Sequence, residues 1–279
     1  MSKTKIEWAT DVWNPVTGCT PVSEACKNCY AKRMATRLAG RCGYPADEPF
    51  RVTVHPERLE EPLRWRTPRR VFVCSMGDLF HEDVKPLTVA SIFNTMADSR
   101  QHIFMVLTKR PDRAEKFIRD VIPFWAGESM PGDCALSQAM EFDDWPLPNV
   151  GLGVSVEDQK TADERIPLLL KTPAAWRFVS YEPALGPVDF LHIQTDVTEI
   201  NALTGAHGVY RPLRGQSPLR LDWIIAGGET GPGARPAHPD WFRSVRDQCV
   251  HAGVPFFFKQ MSGRAEIPDD LRIREMPHA

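Results

Sequence analysis

Long apolar runs are missing from this chain. No stretch of its 279 residues approaches the ~20 consecutive apolar positions that a membrane-spanning helix requires. The opening MSKTKIEWATD also lacks the apolar segment of a signal peptide. No membrane partner is expected, and the expected compartment is the cytoplasm. A large charge excess is missing too, since the formal net charge is only -2. Residues 1–120 carry 20 Lys+Arg against 15 Asp+Glu and the remainder 14 against 21, an asymmetry too small to announce a nucleic-acid binder by itself. Neither G-x-x-x-x-G-K-[ST] nor G-x-G-x-x-G occurs, so the two commonest phosphate-loop signatures are absent. Internal repeats and low-complexity tracts are absent as well.

Cysteine is present, but not in the number or spacing of a disulfide framework. Seven cysteines (19, 26, 29, 42, 74, 134, 249) are an odd count in a long chain of a reducing compartment, where clustered thiols more often hold metal. There is one tight pair, Cys26 and Cys29, with Cys19 upstream in the pattern C-x6-C-x2-C, and no second C-x2-C.

With 42% hydrophobic and 25% charged residues the chain can bury a substantial core. Short apolar runs recur at 70–78, 102–110, 149–157, 176–183, 221–229 and 254–260, and DVWNPV supplies a first strand. Near-continuous apolarity at that length suits strands buried on both faces of a parallel sheet. Between them, helical periodicity covers 85–99, 112–122, 158–171 and 239–252, with Pro86, Pro111 and Pro239 near three of the starts, and Tyr30 to Leu38 follows the cysteine loop. Alternating strand and helix predict an α/β fold: a full or partial TIM-type (β/α) barrel, with a doubly wound open sheet as the alternative. The expected organisation is one barrel-like domain over 1–261, insertions at 123–148 and 192–220, and a polar tail over 262–279.

Three thiols in one loop pose a ligand-number question. A structural zinc site closes with four ligands, and His81, His55 or Cys42 could supply the fourth. An iron-sulfur cluster held by three thiolates instead leaves one iron open to a small molecule, and a loop between a strand and a helix start can wrap such a cluster. The iron-sulfur reading fits the count better, and zinc remains the alternative.

The strand ends carry polar residues, where barrel folds place their chemistry. They are Ser75 and Asp78, Lys109 and Arg110, Ser155 and Glu157, Tyr181 and Glu182, Gly227 to Glu229, then Lys259 and Gln260. A lone carboxylate there is usually a cap or a loop ion pair, whereas Asp78, Glu157, Glu182 and Glu229 at four ends suggest one convergent site. In GGETGPGARP, Gly227 and Gly228 allow close backbone approach, Glu229 could accept from adenine or ribose, and Arg235 could hold a carboxylate or phosphate. His81, Lys109 and Glu182 are the candidate catalytic groups, with a packed loop imidazole as the plain alternative for His81. RWRTPRR (64–70) is either a solvated face or a phosphate-contacting and base-stacking patch.

The three-cysteine loop after a first barrel strand resembles the radical S-adenosylmethionine superfamily, and CKNCYA is similar to its members related to spore photoproduct lyase. The usual spacing there is C-x3-C-x2-C. WNPVTGC, CKNCYA, SMGDLFH, LTKRPDR, GVSVEDQ, VSYEPALGPVDF, GGETGPGARP and VPFFFKQ together resemble the phage Gp37/Gp68-type three-Cys-motif family, across about residues 4–261. This resemblance implies a 4Fe-4S cluster on Cys19, Cys26 and Cys29, and S-adenosylmethionine as cofactor. It implies Asp78 with Ser75 at the methionyl ammonium, and Ser155 with Glu157 at the ribose. It also implies an external electron donor, and a phage link makes a nucleobase, nucleotide or nucleic acid the expected substrate. The alternative is a zinc-containing nucleic-acid-binding protein without catalysis.

Overall fold

In the computed structural model, residues 4, 6–122, 134–141, 144–205, 219–263 and 265–277 are described. The chain divides into two compact units. The first holds Met1–Pro21, Cys29–Leu152 and Thr172–Ala175, and the second holds Val22–Asn28, Gly153–Lys171 and Trp176–Ala279.

The first unit is built on β1 (Asp11–Trp13), β4 (Arg70–Val73), β5 (Ile103–Thr108) and the start of β6 (Val150–Val156), adjacent in that order. β1 pairs parallel with β4, and β4 with β5. Two short strands, β2 (Val16–Thr17) and β3 (Thr53–Val54), pair antiparallel beside them. Val71, Val73, Phe104 and Val106 are fully buried, as strands covered on both faces must be. The helix Pro86–Asp98 has proline in its first turn and buries Val89, Ile92, Phe93 and Met96, the 3-and-4 spacing of one helix face. Helix Pro111–Lys116 continues into a π-type turn over Phe117–Val121.

The second unit carries the rest of β6, then β7 (Trp176–Tyr181), β10 (Trp223–Gly227) and β11 (Phe256–Gln260), again adjacent in that order and parallel where β7, β10 and β11 meet. β8 (Ile193–Gln194) and β9 (Glu199–Ile200) form a small antiparallel pair within one predicted insertion. Every residue of β6 and β10 is buried. Trp223 meets Phe178 and Phe257, and Phe242 of the helix Pro239–Ala252 lies 4.7 Å from Phe258. That helix stops at Gly253, whose φ of 65° suits a residue without Cβ.

The α/β class and the parallel strands with intervening helices agree with the sequence reading. Seven parallel strands among the described residues are one short of a closed TIM-type barrel and suit a partial one. Of the predicted insertions, 123–133, 142–143 and 206–218 lie outside the described residues, while Ala135–Glu141 is a helix. The polar C-terminal segment runs along β11: Phe258 N donates to Ile273 O and Glu275 N to Phe256 O, with Leu271 buried.

Candidate functional site

In the first unit, the cluster at the ends of β4 and β5 is built on Asp78, which is 5% exposed. Its Oδ1 accepts from Phe80 N (3.0 Å) and Thr108 Oγ1 (2.8 Å), and its Oδ2 from Lys109 N (3.0 Å) and Arg110 Nη1 (3.5 Å). Both oxygens are therefore engaged by the chain itself. Ser75 Oγ donates to Asn14 Oδ1 at 3.2 Å, and the same oxygen accepts from Met76 N.

Arg110 is buried and spans the cluster. Nε donates to Glu82, Nη1 to Cys19 Sγ at 3.3 Å, and Nη2 to Thr20 O and Oγ1. Burial works against its charge, but Cys19, Asp78 and Glu82 outweigh that and hold its pKa above the ordinary value. His81 is fully buried, and its Nδ1 accepts from Asp83 N at 3.1 Å. The other nitrogen, Nε2, therefore carries the proton and donates to Thr20 Oγ1 at 2.8 Å. Burial and then the Arg110 charge push its pKa down, so the imidazole is held neutral.

Gly18, beside Cys19, sits at φ +85°, and a Cβ there would stand 2.2 Å from Arg51 O. Only glycine lets the chain enter the cysteine loop along this path. Cys29 precedes the helix Tyr30–Arg37 without a side-chain capping hydrogen bond, and Ala31 and Ala35 of that helix pack with Tyr44 and Met76.

In the second unit, Glu157 at the end of β6 is 1% exposed. Its Oε1 accepts from Ser23 Oγ and Arg165 Nη1, each at 3.0 Å. Ser155 is buried, and its carbonyl accepts from the same guanidinium. At the end of β10, Glu229 accepts from Asn28 Nδ2 and from Arg235 N, Nε and Nη2. Burial opposes its charge, yet those donors win and pull its pKa down to about 2. Gly228 is pressed against Ser262, whose N would lie 2.4 Å from a Cβ, and Gly227 O accepts from Ala184 N. Glu182 Oε1 accepts from Lys259 Nζ (2.6 Å) and Gln260 Nε2 (2.9 Å).

The predicted strand-end residues thus collect into two polar networks, one per unit. The first holds Asp78, Lys109 and His81, while Ser75 bonds separately to Asn14. The second holds Ser155, Glu157, Glu182, Gly227, Gly228, Glu229 and Arg235. Sequence reasoning missed Asn14, Thr20, Asn28 and Thr108, whose only signal was their place beside a cysteine or a strand end, Ser23 within the cysteine loop, and Arg165, which lies inside the helix Gln159–Lys171 and carried no such signal.

All seven cysteines are outside disulfides. Cys19 and Cys29 belong to the first unit and Cys26 to the second, each half-buried. Among the described residues no group of three or more His, Cys, Asp or Glu side chains is placed to hold a metal ion. Of the possible fourth ligands, His55 is buried on Thr17 Oγ1, His81 is committed to Thr20, and Cys42 is exposed.

Parallel strands with crossover helices and polar C-terminal strand ends define an α/β protein of the partial-barrel kind. The chain belongs to a family described as "Protein of unknown function (DUF5131)", matched over residues 3–272. No curated protein and no solved structure matches the chain.

Proposed function

We propose that this protein is a radical S-adenosylmethionine-type iron-sulfur enzyme. The observation that carries the reading is Arg110 Nη1 donating to Cys19 Sγ from the end of β5, which sets one loop thiol within a strand-end polar network. A neighbouring guanidinium favours the thiolate, the form that ligates metal. Three half-buried thiols in one loop are the donor chemistry of a cluster with one open iron, and uptake of metal is what gathers such ligands. When bound, the cluster and S-adenosylmethionine would supply reductive cleavage to a carbon radical, with electrons from an external donor. Cys19, Cys26 and Cys29 would hold the cluster.

The remaining roles fall to the chain's own groups. Lys109 and the Glu182–Lys259 pair are the candidate proton-handling groups toward substrate, while His81, neutral and spent on Thr20, holds the loop. The phage-family resemblance makes a nucleobase, nucleotide or nucleic acid the expected substrate class.

Anaerobic reconstitution with iron and sulfide, followed by electron paramagnetic resonance of the reduced protein, tests this reading. A four-iron signal that changes on adding S-adenosylmethionine and vanishes in Cys26→Ala is the expected result. Stoichiometric zinc without a cluster signal overturns it and favours the zinc-containing nucleic-acid-binding alternative.

A further inference from the structure

Within the second unit, the segment Ser23–Asn28 that carries Cys26 is tied at three points, to the buried Glu157 and Glu229 and to the half-buried Arg235. Ser23 Oγ donates to Glu157 Oε1 at 3.0 Å. Asn28 Nδ2 donates to Glu229 Oε2 at 2.9 Å and to Gly233 O at 3.1 Å. Arg235 Nη2 donates to Glu24 O at 3.1 Å while also donating to Glu229 Oε1 at 2.6 Å. Between Ser23 and Asn28 the chain makes a single 3-10 turn, closed by Cys26 N onto Ser23 O, and Ser23 Oγ lies 3.8 Å from Cys26 Sγ.

A carboxylate meant for a ribose or an adenine needs open lone pairs. Glu229, 4% exposed, spends its own on one asparagine amide and three Arg235 donors. We infer that Glu229 and Arg235 are positioning residues, a clamp on Glu24–Asn28 that sets where Cys26 stands, with Glu157 holding Ser23 as a second point. The clamp stands on these hydrogen bonds, and only its bearing on a cluster rests on the reading proposed above. The six residues between Cys19 and Cys26 include Ser23 and Glu24, both of which the clamp grips.

Iodoacetamide alkylation of the metal-free protein, resolved by site with mass spectrometry, tests the clamp. The readout is the Cys26 rate divided by that of Cys42, an exposed thiol of the other unit. Glu229→Gln and Asn28→Ala should each raise this ratio about fivefold, the effect of losing one hydrogen bond. The double variant should not exceed Glu229→Gln alone, because Asn28→Ala cuts a link that Glu229→Gln has already cut. Arg235→Lys should behave like Glu229→Gln, since an ammonium cannot reach Glu229 and Glu24 O as the guanidinium fork does.

An unchanged ratio in folded variants, equal acceleration of Cys42, or fully additive effects each overturns the clamp. Should Glu229→Gln fail to fold, Asn28→Ala carries the test from the half-buried loop side. Because no metal is present, the result stands apart from whether the protein takes up iron-sulfur, zinc or neither.

Discussion

Arg110 Nη1 lies 3.3 Å from Cys19 Sγ and 3.5 Å from Asp78 Oδ2, so one buried guanidinium joins a loop thiol to the carboxylate between β4 and β5. Its remaining nitrogens reach Glu82 and Thr20. Four anchors on one side chain make it the central support of the first unit's network.

Removing that support should be costly. Arg110→Leu leaves Asp78 as a buried carboxylate without its cation, and loss of one partner of such a pair costs about 3 kcal/mol or more. Arg110→Lys should recover only part of this, because an ammonium cannot serve Glu82, Cys19 and Thr20 together. Urea unfolding of the two variants checks the order.

Glu229 should make the protein acid-sensitive in a defined window. Its folded pKa of about 2 lies below the ordinary 4.5, so the unfolded chain binds the proton more readily between those values. The carboxylate's contribution is therefore fully present above pH 4.5 and is lost as pH falls toward 2, a span of on the order of 3 kcal/mol at most. Denaturant midpoints across that range should fall less steeply for Glu229→Gln than for the parent.

His81 acts in the same direction at higher pH. Its folded pKa is depressed below 6.5, so its contribution is present above that value and is lost as pH falls through the folded pKa. Histidine NMR titration should show one resonance, absent in His81→Gln, that stays neutral below pH 6.5.

Thiol counting should separate the cysteines by burial. Cys74 is buried with its thiol pushed up to about 12, and burial pushes Cys249 higher still. Five of the seven should therefore react with a disulfide reagent in the native metal-free protein, and all seven after denaturation. Fast labelling of Cys74 or Cys249 in the folded state would contradict the packing.

Backbone space sets the last expectation. Gly18→Ala places a Cβ 2.2 Å from Arg51 O at a positive φ, and should cost at least about 2 kcal/mol. Gly233→Ala, also at positive φ but in open space, should cost about 1 kcal/mol. Thermal unfolding of the pair distinguishes crowding from conformational strain.

Much of the framework is legible in the sequence. The run at 149–157 becomes β6 over Val150–Val156, that at 221–229 becomes β10 over Trp223–Gly227, and 239–252 is a helix at those limits. Short apolar runs and 3.6-residue periodicity are local signals, and Pro86 and Pro239 mark helix starts by their fixed φ. The same local chemistry flags the cysteine loop and the polar strand ends.

Partnership is where the sequence stops. Asp78 and Glu229 read as open acceptors, yet each is filled by donors of its own chain. Asn28 stands 201 residues from Glu229, Ser23 134 from Glu157, and Arg110 91 from Cys19. The sequence alone determined which segments are strands, which are helices and where the thiols lie, because those depend on neighbours a few residues away. The tertiary structure alone decided which carboxylates are spent on holding the loop, because a hydrogen bond is made by residues that folding brings within about 3 Å, whatever their distance along the chain.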